Sequence, residues 1–317
     1  MANVFGTNVF GQFPKHSPLP TPASDLGQPA GQRRPKCYVC GCVLNCAPYL
    51  PSVFKNIKTL SQCFDECTIL IFYDRSTDNS LEILTDAKNT AGFKMEILLN
   101  DTEMSEVRTT NIMNARNSIM AHIKGAADPS YEYFIMMDMD DVSCRLAPQA
   151  PLILQRFLAN HREWDCLSFH RKDYYDIWAL SVAPYSVSCW NFLDTSTNSR
   201  RSAVLEIQDY IAARLNSLPP NTLIACQSAF NGFAIYKKEM FINCTYNNRI
   251  DDNVRMVGGQ AAIDRQELAQ RKIFINTDGY DCEHRHFHFQ SILQNKSRIR
   301  ISSAIVFDEF NADPRRI

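Results

Sequence analysis

Three aspartates are the residues best suited to chemistry: Asp138, Asp140 and Asp141 follow directly on the apolar run Phe134–Met137. An apolar run of this length predicts a buried strand, so the aspartates would lie where its carboxyl end opens into a site. Neighbouring carboxylates repel one another unless a positive charge lies between them, and carboxylate oxygens suit Mg²⁺ or Mn²⁺. The alternative is that they only cap a turn or a helix, where aspartate is common. We assign that structural role to Asp141.

A second group of polar side chains lies near the end of the chain. His284, His286 and His288 follow Glu283 within a few residues. On a strand all three histidines would share one face, whereas on a helix only His284 and His288 would. A zinc site around a water is one interpretation. A surface histidine tract is the other.

Alternating strand-like and helix-like patterns predict the elements that position these residues. The predicted strands are Cys37–Leu44, Thr68–Tyr73, Lys94–Leu99 and Tyr133–Met137, and the predicted helices are Tyr49–Leu60, a segment capped by Asp78 that runs through Ala87, and Asn111–Lys124. Three strand–helix units followed by a strand predict an α/β fold with a mostly parallel sheet and helices on both faces. Ligands of such sheets bind beyond the carboxyl ends of the strands, where Asn45, Asp74 and Asp138 fall.

The second half of the chain has a less regular pattern. We predict a helix over Leu146–Asn160, a strand over Asp165–Phe169, an aromatic-rich segment over Tyr174–Leu180 and a strand over Ser228–Tyr236. The last of these contains Gly232 at its centre, which often marks the close approach of a ligand or another backbone.

Composition excludes several classes of protein. A net charge of −1 over 317 residues argues against a protein that binds nucleic acid through bulk charge. No apolar run approaches the ~20 residues that a membrane span needs, and the N-terminus lacks the layout of a signal peptide. We therefore expect a cytoplasmic protein. Residues 1–35 hold six of the fifteen prolines and predict a flexible tail before a folded domain over 36–317.

Cysteines are numerous, twelve in all, and four of them are closely spaced. Cys37 and Cys40 have the C-x2-C spacing of a zinc site, but the sequence contains no second pair to complete it. The surrounding residues are small and favour a β-strand. We therefore interpret these cysteines as small apolar residues of a buried strand.

The loop Asp74-Arg75-Ser76-Thr77-Asp78-Asn79-Ser80 resembles the D-G-S-x-D-x-S signature of family 2-type glycosyltransferases, which have the GT-A fold. Val43–Leu50, which contains Asn45, is similar to the first-strand motif of that family. Asn114-Ala115-Arg116-Asn117 is similar to its A-R-N segment, and Asp138-Met139-Asp140 stands where its D-X-D motif belongs. The four motifs occur in the family's order over residues 38 to 145.

The resemblance implies a GT-A enzyme with a nucleotide-binding half, 36–145, and an acceptor-binding half, 146–317. It implies that the nucleoside diphosphate of a sugar donor is contacted by Asn45, Asp74, Arg116 and Asp138. It implies Mn²⁺ or Mg²⁺ held by Asp138, Asp140, His284 and His288. A cation there would neutralise the charge that develops on the leaving diphosphate. Glu283 is the implied catalytic base, followed by Asp281 and Asp176.

The implied activity is transfer of a hexosyl or pentosyl group, with inversion, from a nucleotide sugar to a hydroxyl of a glycan or a protein-linked glycan. The segments Tyr174–Trp178 and Asn231–Tyr236 also resemble transferases of large DNA viruses and fungal capsule-type mannosyltransferases. Two other functions remain open at this point. One is a histidine-based zinc metallohydrolase, and the other is a non-catalytic module that binds sugar nucleotides.

Overall fold

The computed structural model describes residues 33–308, apart from 91, 93, 173, 184, 187, 190–199, 253, 255, 256 and 258–278. The tail predicted over 1–35 therefore lies almost entirely outside the described residues. The first strand begins at Lys36, one residue before the predicted start at Cys37.

Eight strands form one sheet. They are β1 (Lys36–Val43), β2 (Glu66–Tyr73), β3 (Lys94–Leu99), β4 (Tyr131–Met137), β5 (Cys166–His170), β6 (Leu223–Cys226), β7 (Phe233–Lys237) and β8 (Ile299–Ile305). The α-helices are α1 (Leu50–Ser61), α2 (Ser80–Thr90), α3 (Arg108–Ala126), α4 (Ala150–Ala159), α5 (Arg200–Asn216), α6 (Lys238–Phe241) and α7 (Glu283–Asn295). Short 3-10 turns follow β4 at Asp141–Ser143 and α4 at His161–Glu163.

The strand order is β3-β2-β1-β4-β7-β5-β8-β6. The pairings β3–β2, β2–β1, β1–β4 and β5–β8 are parallel, whereas β7 and β6 run antiparallel to their neighbours. Most strands therefore point the same way, and the predicted α/β class with a mostly parallel sheet is confirmed. The order 3-2-1-4 is that of a doubly wound, Rossmann-like half. The chain reverses direction across the sheet between β1 and β4, which makes this boundary the expected place for a ligand.

Helices cover both faces of the sheet. One core contains apolar side chains of α1, α2 and α4, and the other contains those of α3, α5 and α7. The amphipathic spacing of α1 explains its place, because Leu50, Val53, Ile57 and Leu60 recur at helical intervals and are all buried. Among the described residues, no helix combines the length and the apolar character required to cross a membrane.

The structure corrects two predicted elements. The strand predicted over Ser228–Tyr236 begins only at Phe233, because Asn231 and Gly232 adopt φ values of 55° and 81° and form a turn. The histidine segment is the start of α7, and not an exposed tract, since His284, His286 and His288 are all buried.

Candidate active site

The loops that follow β1, β2 and β3 are joined by side-chain hydrogen bonds. Asn45 has a left-handed backbone (φ 55°), and its Oδ1 accepts a 2.7 Å hydrogen bond from the Thr77 N–H. Asp74 is the first residue after β2. Its Oδ1 accepts a 2.6 Å hydrogen bond from Nδ2 of Asn100, which is the first residue after β3. The loops that follow these three parallel strands are therefore linked to one another by hydrogen bonds.

Asp138 and Asp140 flank a buried methionine at the end of β4. Met139 is only 1% exposed, and its side chain packs over Gly41 of β1. A Cβ atom at position 41 would lie 2.3 Å from Cγ of Met139, so glycine is required there. Since Met139 is anchored in the core, the carboxylates on either side of it are left at the surface of the site: the Asp138 side chain is 27% exposed. Asp140 caps the 3-10 turn, where its Oδ1 accepts a 3.2 Å hydrogen bond from the Val142 N–H.

Arg116 connects this loop to the second half of the chain. It points from α3 into the site, where one guanidinium nitrogen bonds Glu283 of α7 and another lies 3.5 Å from Asp138 Oδ1. The Phe230 ring lies under the guanidinium, 4.9 Å from ring centre to Cζ. The Arg116 side chain is 8% exposed. The structure therefore brings together Arg116, Asp138 and Glu283, as the sequence predicts. However, Arg116 and Glu283 are already bound to each other as an ion pair.

Cys42 of β1 lies close to this cluster of charged residues. Burial raises the pKa of its thiol to about 12, and the charges of Arg116, Asp138, Glu283 and Asp74 all act on it. One residue of β1 therefore lies within electrostatic range of four predicted site residues. These four residues therefore lie near the switch point between β1 and β4 and together make one candidate site.

Asp176 contributes the most unusual carboxyl group. It is 8% exposed, and burial, followed by the negative charge of Asp138, raises its pKa from 3.8 to about 7. Its Oδ1 accepts a 3.2 Å hydrogen bond from the Ala179 N–H. The charges of Asp138 and Glu283 both act on the Asp176 carboxyl group, so Asp176 lies within electrostatic range of these two predicted site residues.

Tyr175 and Asn231 also belong to this region, and sequence analysis did not single them out. The Tyr175 hydroxyl donates a hydrogen bond to Asp138 Oδ2. Asn231 Oδ1 accepts from the backbone N–H groups of Tyr175 and Asp176, at 3.3 and 3.4 Å. The one available signal was the Asn-Gly pair 231–232, because this dipeptide is typical of tight turns and not of strand centres.

His284 and His288 do not take the predicted place in a cation site. The His288 ring nitrogens contact Ser228 Oγ at 2.8 Å and the Tyr236 hydroxyl at 3.1 Å, and the residue is fully buried. Burial lowers its pKa to about 3, so the ring is neutral. The His284 ring stacks on Phe230 with centroids 4.0 Å apart, and burial holds its pKa well below the usual value. Both rings are packed into the aromatic core beneath the site.

Three or more His, Cys, Asp or Glu side chains able to ligate one metal ion do not occur together in the described parts of the chain. The predicted set Asp138, Asp140, His284 and His288 is therefore not assembled, because the helix directs the histidines into the core. The zinc interpretation is also wrong for the histidine triplet, since His286 instead bonds Asp251 at 2.7 Å and the Thr245 carbonyl at 3.0 Å. Asp138 and Asp140 do fit a hard cation that takes its other ligands from a diphosphate and water.

Asp281, the other predicted alternative for the base, already has an ion-pair partner and a hydrogen-bond partner. It is 2% exposed, its Oδ2 pairs with Arg285 Nε at 3.1 Å, and its Oδ1 accepts from the Cys282 N–H. The strand cysteines lie as predicted, with Cys37 and Cys40 buried in β1.

Comparison with known proteins gives fold-level likenesses only. The chain matches no protein-family model and no curated protein. Among solved structures it is similar to TarS (residues 1–349) of S. aureus, at 15% identity and a TM-score of 0.42 over 86% of this chain and 59% of that one. It is also similar to the mannosyltransferase PcManGT of Pyrobaculum calidifontis, solved with GDP-Man and Mn²⁺. That likeness has 12% identity and a TM-score of 0.46 over 89% of this chain and 58% of the other. The chain thus spans under three fifths of either structure, and likenesses of this level carry no argument about activity.

Proposed function

We propose that the protein is a metal-dependent glycosyltransferase of the GT-A type that uses a nucleoside-diphosphate sugar. The observation that carries this proposal is the position of Asp138 beside Arg116 at the switch point of the sheet, with Asp74 and Asp176 within electrostatic range of the same cluster. Parallel α/β sheets bind nucleotides at this position. Asp138 and Asp140 also offer at this position the carboxylate oxygens that suit Mg²⁺ or Mn²⁺.

Asp74 is the residue that would hold the base or the ribose of the donor. It stands at the end of β2 and is fixed by Asn100 through one carboxylate oxygen. The other oxygen would accept a hydrogen bond from the nucleotide. Asn45 would act less directly, because its side-chain oxygen already fixes the Thr77 backbone.

Asp140 and Asp138 would hold Mn²⁺ or Mg²⁺ together with the diphosphate, and the cation, when bound, would supply charge neutralisation at the leaving group. Arg116 would fix the orientation of Asp138 and not bind the diphosphate itself, since Glu283 occupies its guanidinium. His284 and His288 would serve the packing of the helix beneath this site.

Asp176 is our choice for the base, in place of Glu283. A pKa of about 7 leaves a substantial ionised fraction at neutral pH and makes Asp176 a competent proton acceptor. Glu283 is buried and is already bound to Arg116. The acceptor hydroxyl would lose its proton to Asp176 as its oxygen attacks the anomeric carbon, and the bond from that carbon to the nucleoside diphosphate would break with inversion.

The finer features of the proposal follow the motif resemblance. The transferred group would be a hexose or a pentose, and the acceptor a hydroxyl of a glycan or a protein-linked glycan bound near the segment Tyr174–Leu180. Residues 36–145 would bind the nucleotide and 146–317 the acceptor, while residues 1–34 would be dispensable for folding. The similarity to viral and fungal transferases would lie in the acceptor side of the site.

Calorimetry with UDP and GDP in the presence of Mn²⁺, together with hydrolysis of a panel of nucleotide sugars, tests the function. We expect the binding of one nucleotide to depend on Mn²⁺. Asp74→Ala should weaken it about tenfold to a hundredfold, because a hydrogen bond to a charged group contributes roughly 1.5–3 kcal/mol. Asp140→Ala should abolish the dependence on Mn²⁺. Nucleotide binding without hydrolysis or transfer would indicate a non-catalytic module, and absence of binding would overturn the proposal.

A further inference from the structure

Two different groups hold the two oxygens of the Asp138 carboxylate. Oδ2 accepts a hydrogen bond from the Tyr175 hydroxyl, and Oδ1 lies 3.5 Å from Nη2 of Arg116. The Asp138 backbone N–H donates a 2.9 Å hydrogen bond to the Gly232 carbonyl. A partly exposed aspartate is thus fixed at its backbone and at both side-chain oxygens before any ligand is bound.

Tyr175 is itself held in place by contacts to its backbone and its ring. Its backbone N–H donates to the buried Asn231, and the Arg171 guanidinium lies 5.9 Å from the centre of its ring. At position 232 a Cβ atom would lie 2.7 Å from the Tyr175 hydroxyl oxygen and 2.5 Å from Val142 Cγ1. Glycine is already required at position 232 by its φ of 81°. The absence of a side chain there also leaves the space through which the phenol reaches Asp138.

We infer that Tyr175 is a positioning residue that keeps the Asp138 carboxylate in the orientation needed by the cation and the diphosphate. This inference rests on the proposed function. The hydrogen bond from the phenol to one oxygen, together with the charge of Arg116 3.5 Å from the other, favours one orientation of this carboxylate. Partners of this kind behind metal-binding carboxylates commonly change metal affinity or activity by about 10–100-fold when they are removed.

The neighbouring tyrosine provides a matched control. Tyr174 is 1% exposed, and its hydroxyl has no hydrogen-bond partner among the described residues. Tyr174→Phe therefore removes a hydroxyl from the same segment without removing a hydrogen bond, whereas Tyr175→Phe removes the contact with Asp138. Any general effect of losing a phenol here should appear in both variants.

The experiment measures Mn²⁺ affinity by calorimetry in the presence of UDP or GDP, and kcat and KM for the donor, in the wild type and both variants. Tyr175→Phe should weaken Mn²⁺ binding or lower kcat by about 10–100-fold. Tyr174→Phe should stay within about twofold of the wild type. In an Asp138→Ala background Tyr175→Phe should have no further effect, because the phenol acts through Asp138. Equal behaviour of the two tyrosine variants, or a full additional loss in the Asp138→Ala background, would overturn the inference.

A crystal structure of the Tyr175→Phe variant separates this inference from the proposed function. We expect the Asp138 carboxylate to rotate away from its wild-type position, towards Arg116. An unmoved carboxylate would overturn the positioning role, whatever the activity of the protein. Absence of nucleotide binding in the wild type, together with a rotated Asp138 in the variant, would overturn the proposed function but leave the control of Asp138 by Tyr175 established.

Discussion

Arg116 of α3 and Glu283, the first residue of α7, form a buried ion pair although 167 positions separate them in the chain. Their side chains are only 8% and 5% exposed. Because the same guanidinium lies 3.5 Å from Asp138, the start of α7 is connected to the loop after β4. The pair therefore joins the two halves of the chain at the centre of the candidate site.

Glu283→Ala should lower the free energy of unfolding by up to about 3–5 kcal/mol, because it removes the nearest counter-charge of the buried Arg116 and leaves only the more distant Asp138. Urea unfolding measures this loss. The exposed pair of Glu96 and His122, 3.2 Å apart, provides a control, since Glu96→Ala should cost only about 0–1 kcal/mol. Equal midpoints for Glu283→Ala and the wild type would show that the ion pair does not stabilise the fold.

Asp176→Asn should make the protein more stable at pH 8 than the wild type. The pKa of Asp176 rises from 3.8 to about 7 in the folded state, so between these values the folded protein retains a proton that the unfolded chain releases. The contribution of Asp176 to wild-type stability thus falls as the pH rises from about 4 to 7, at roughly 1.4 kcal/mol per pH unit, and is constant above this range. Asparagine at this position does not ionise, so the variant should not show this fall in stability.

Unfolding in urea at several pH values between 4 and 8 checks this prediction. The gain of the variant over the wild type should grow through that window and then level off. A constant difference at all pH values would contradict a raised pKa of Asp176. In the same variant, any transferase activity should fall by about 10²–10⁴-fold if Asp176 is the base.

The first half of the fold could be predicted because its information is local. The apolar run before Asp138 and the helical spacing of α1 identify their elements without reference to the rest of the chain. The alternation of strands and helices then places the strand ends together. In contrast, the antiparallel insertion of β7 between β4 and β5 depends on contacts that the sequence does not encode locally.

The candidate site could be predicted in part for the same reason. Asp74 and Asp138 lie at strand ends, which the local pattern predicts, whereas the contact of Tyr175 with Asp138 depends on the turn at Gly232, which the pattern does not predict. His284 and His288 were misassigned because polar side chains at helical spacing predict a shared face. They do not reveal that this face packs against Phe230 and other aromatic residues in the core.

His288 should make the protein sensitive to acid. Its pKa falls from 6.5 to about 3 on folding, mainly because it is buried, so between these values the unfolded chain binds a proton that the folded protein excludes. The stability that His288 contributes is complete above about pH 6.5 and is lost as the pH falls towards 3. His288→Gln should flatten this part of the pH profile of unfolding. Mn²⁺-dependent nucleotide binding should persist in the folded variant. Loss of this binding would instead indicate that His288 is a ligand of the cation.

Gly41→Ala should disturb the loop that carries Asp138 and Asp140. The new Cβ atom would lie 2.3 Å from Met139 Cγ and 3.1 Å from the Met137 carbonyl oxygen, so Met139 must leave its pocket over β1. Overpacking of this kind costs about 1–3 kcal/mol. Displacement of Met139 should also move the flanking carboxylates and weaken binding of Mn²⁺ with UDP or GDP.

Gly125, on the exposed side of α3, provides the opposite control. A Cβ atom there would meet no other atom within 4 Å, and a helical glycine costs up to about 1 kcal/mol relative to alanine. Gly125→Ala should therefore raise the free energy of unfolding slightly and leave nucleotide binding unchanged. Urea unfolding and calorimetry on the two variants measure both effects. If Gly41→Ala proved as stable as the wild type and bound Mn²⁺ and nucleotide equally well, Met139 would not be the anchor that orients Asp138 and Asp140.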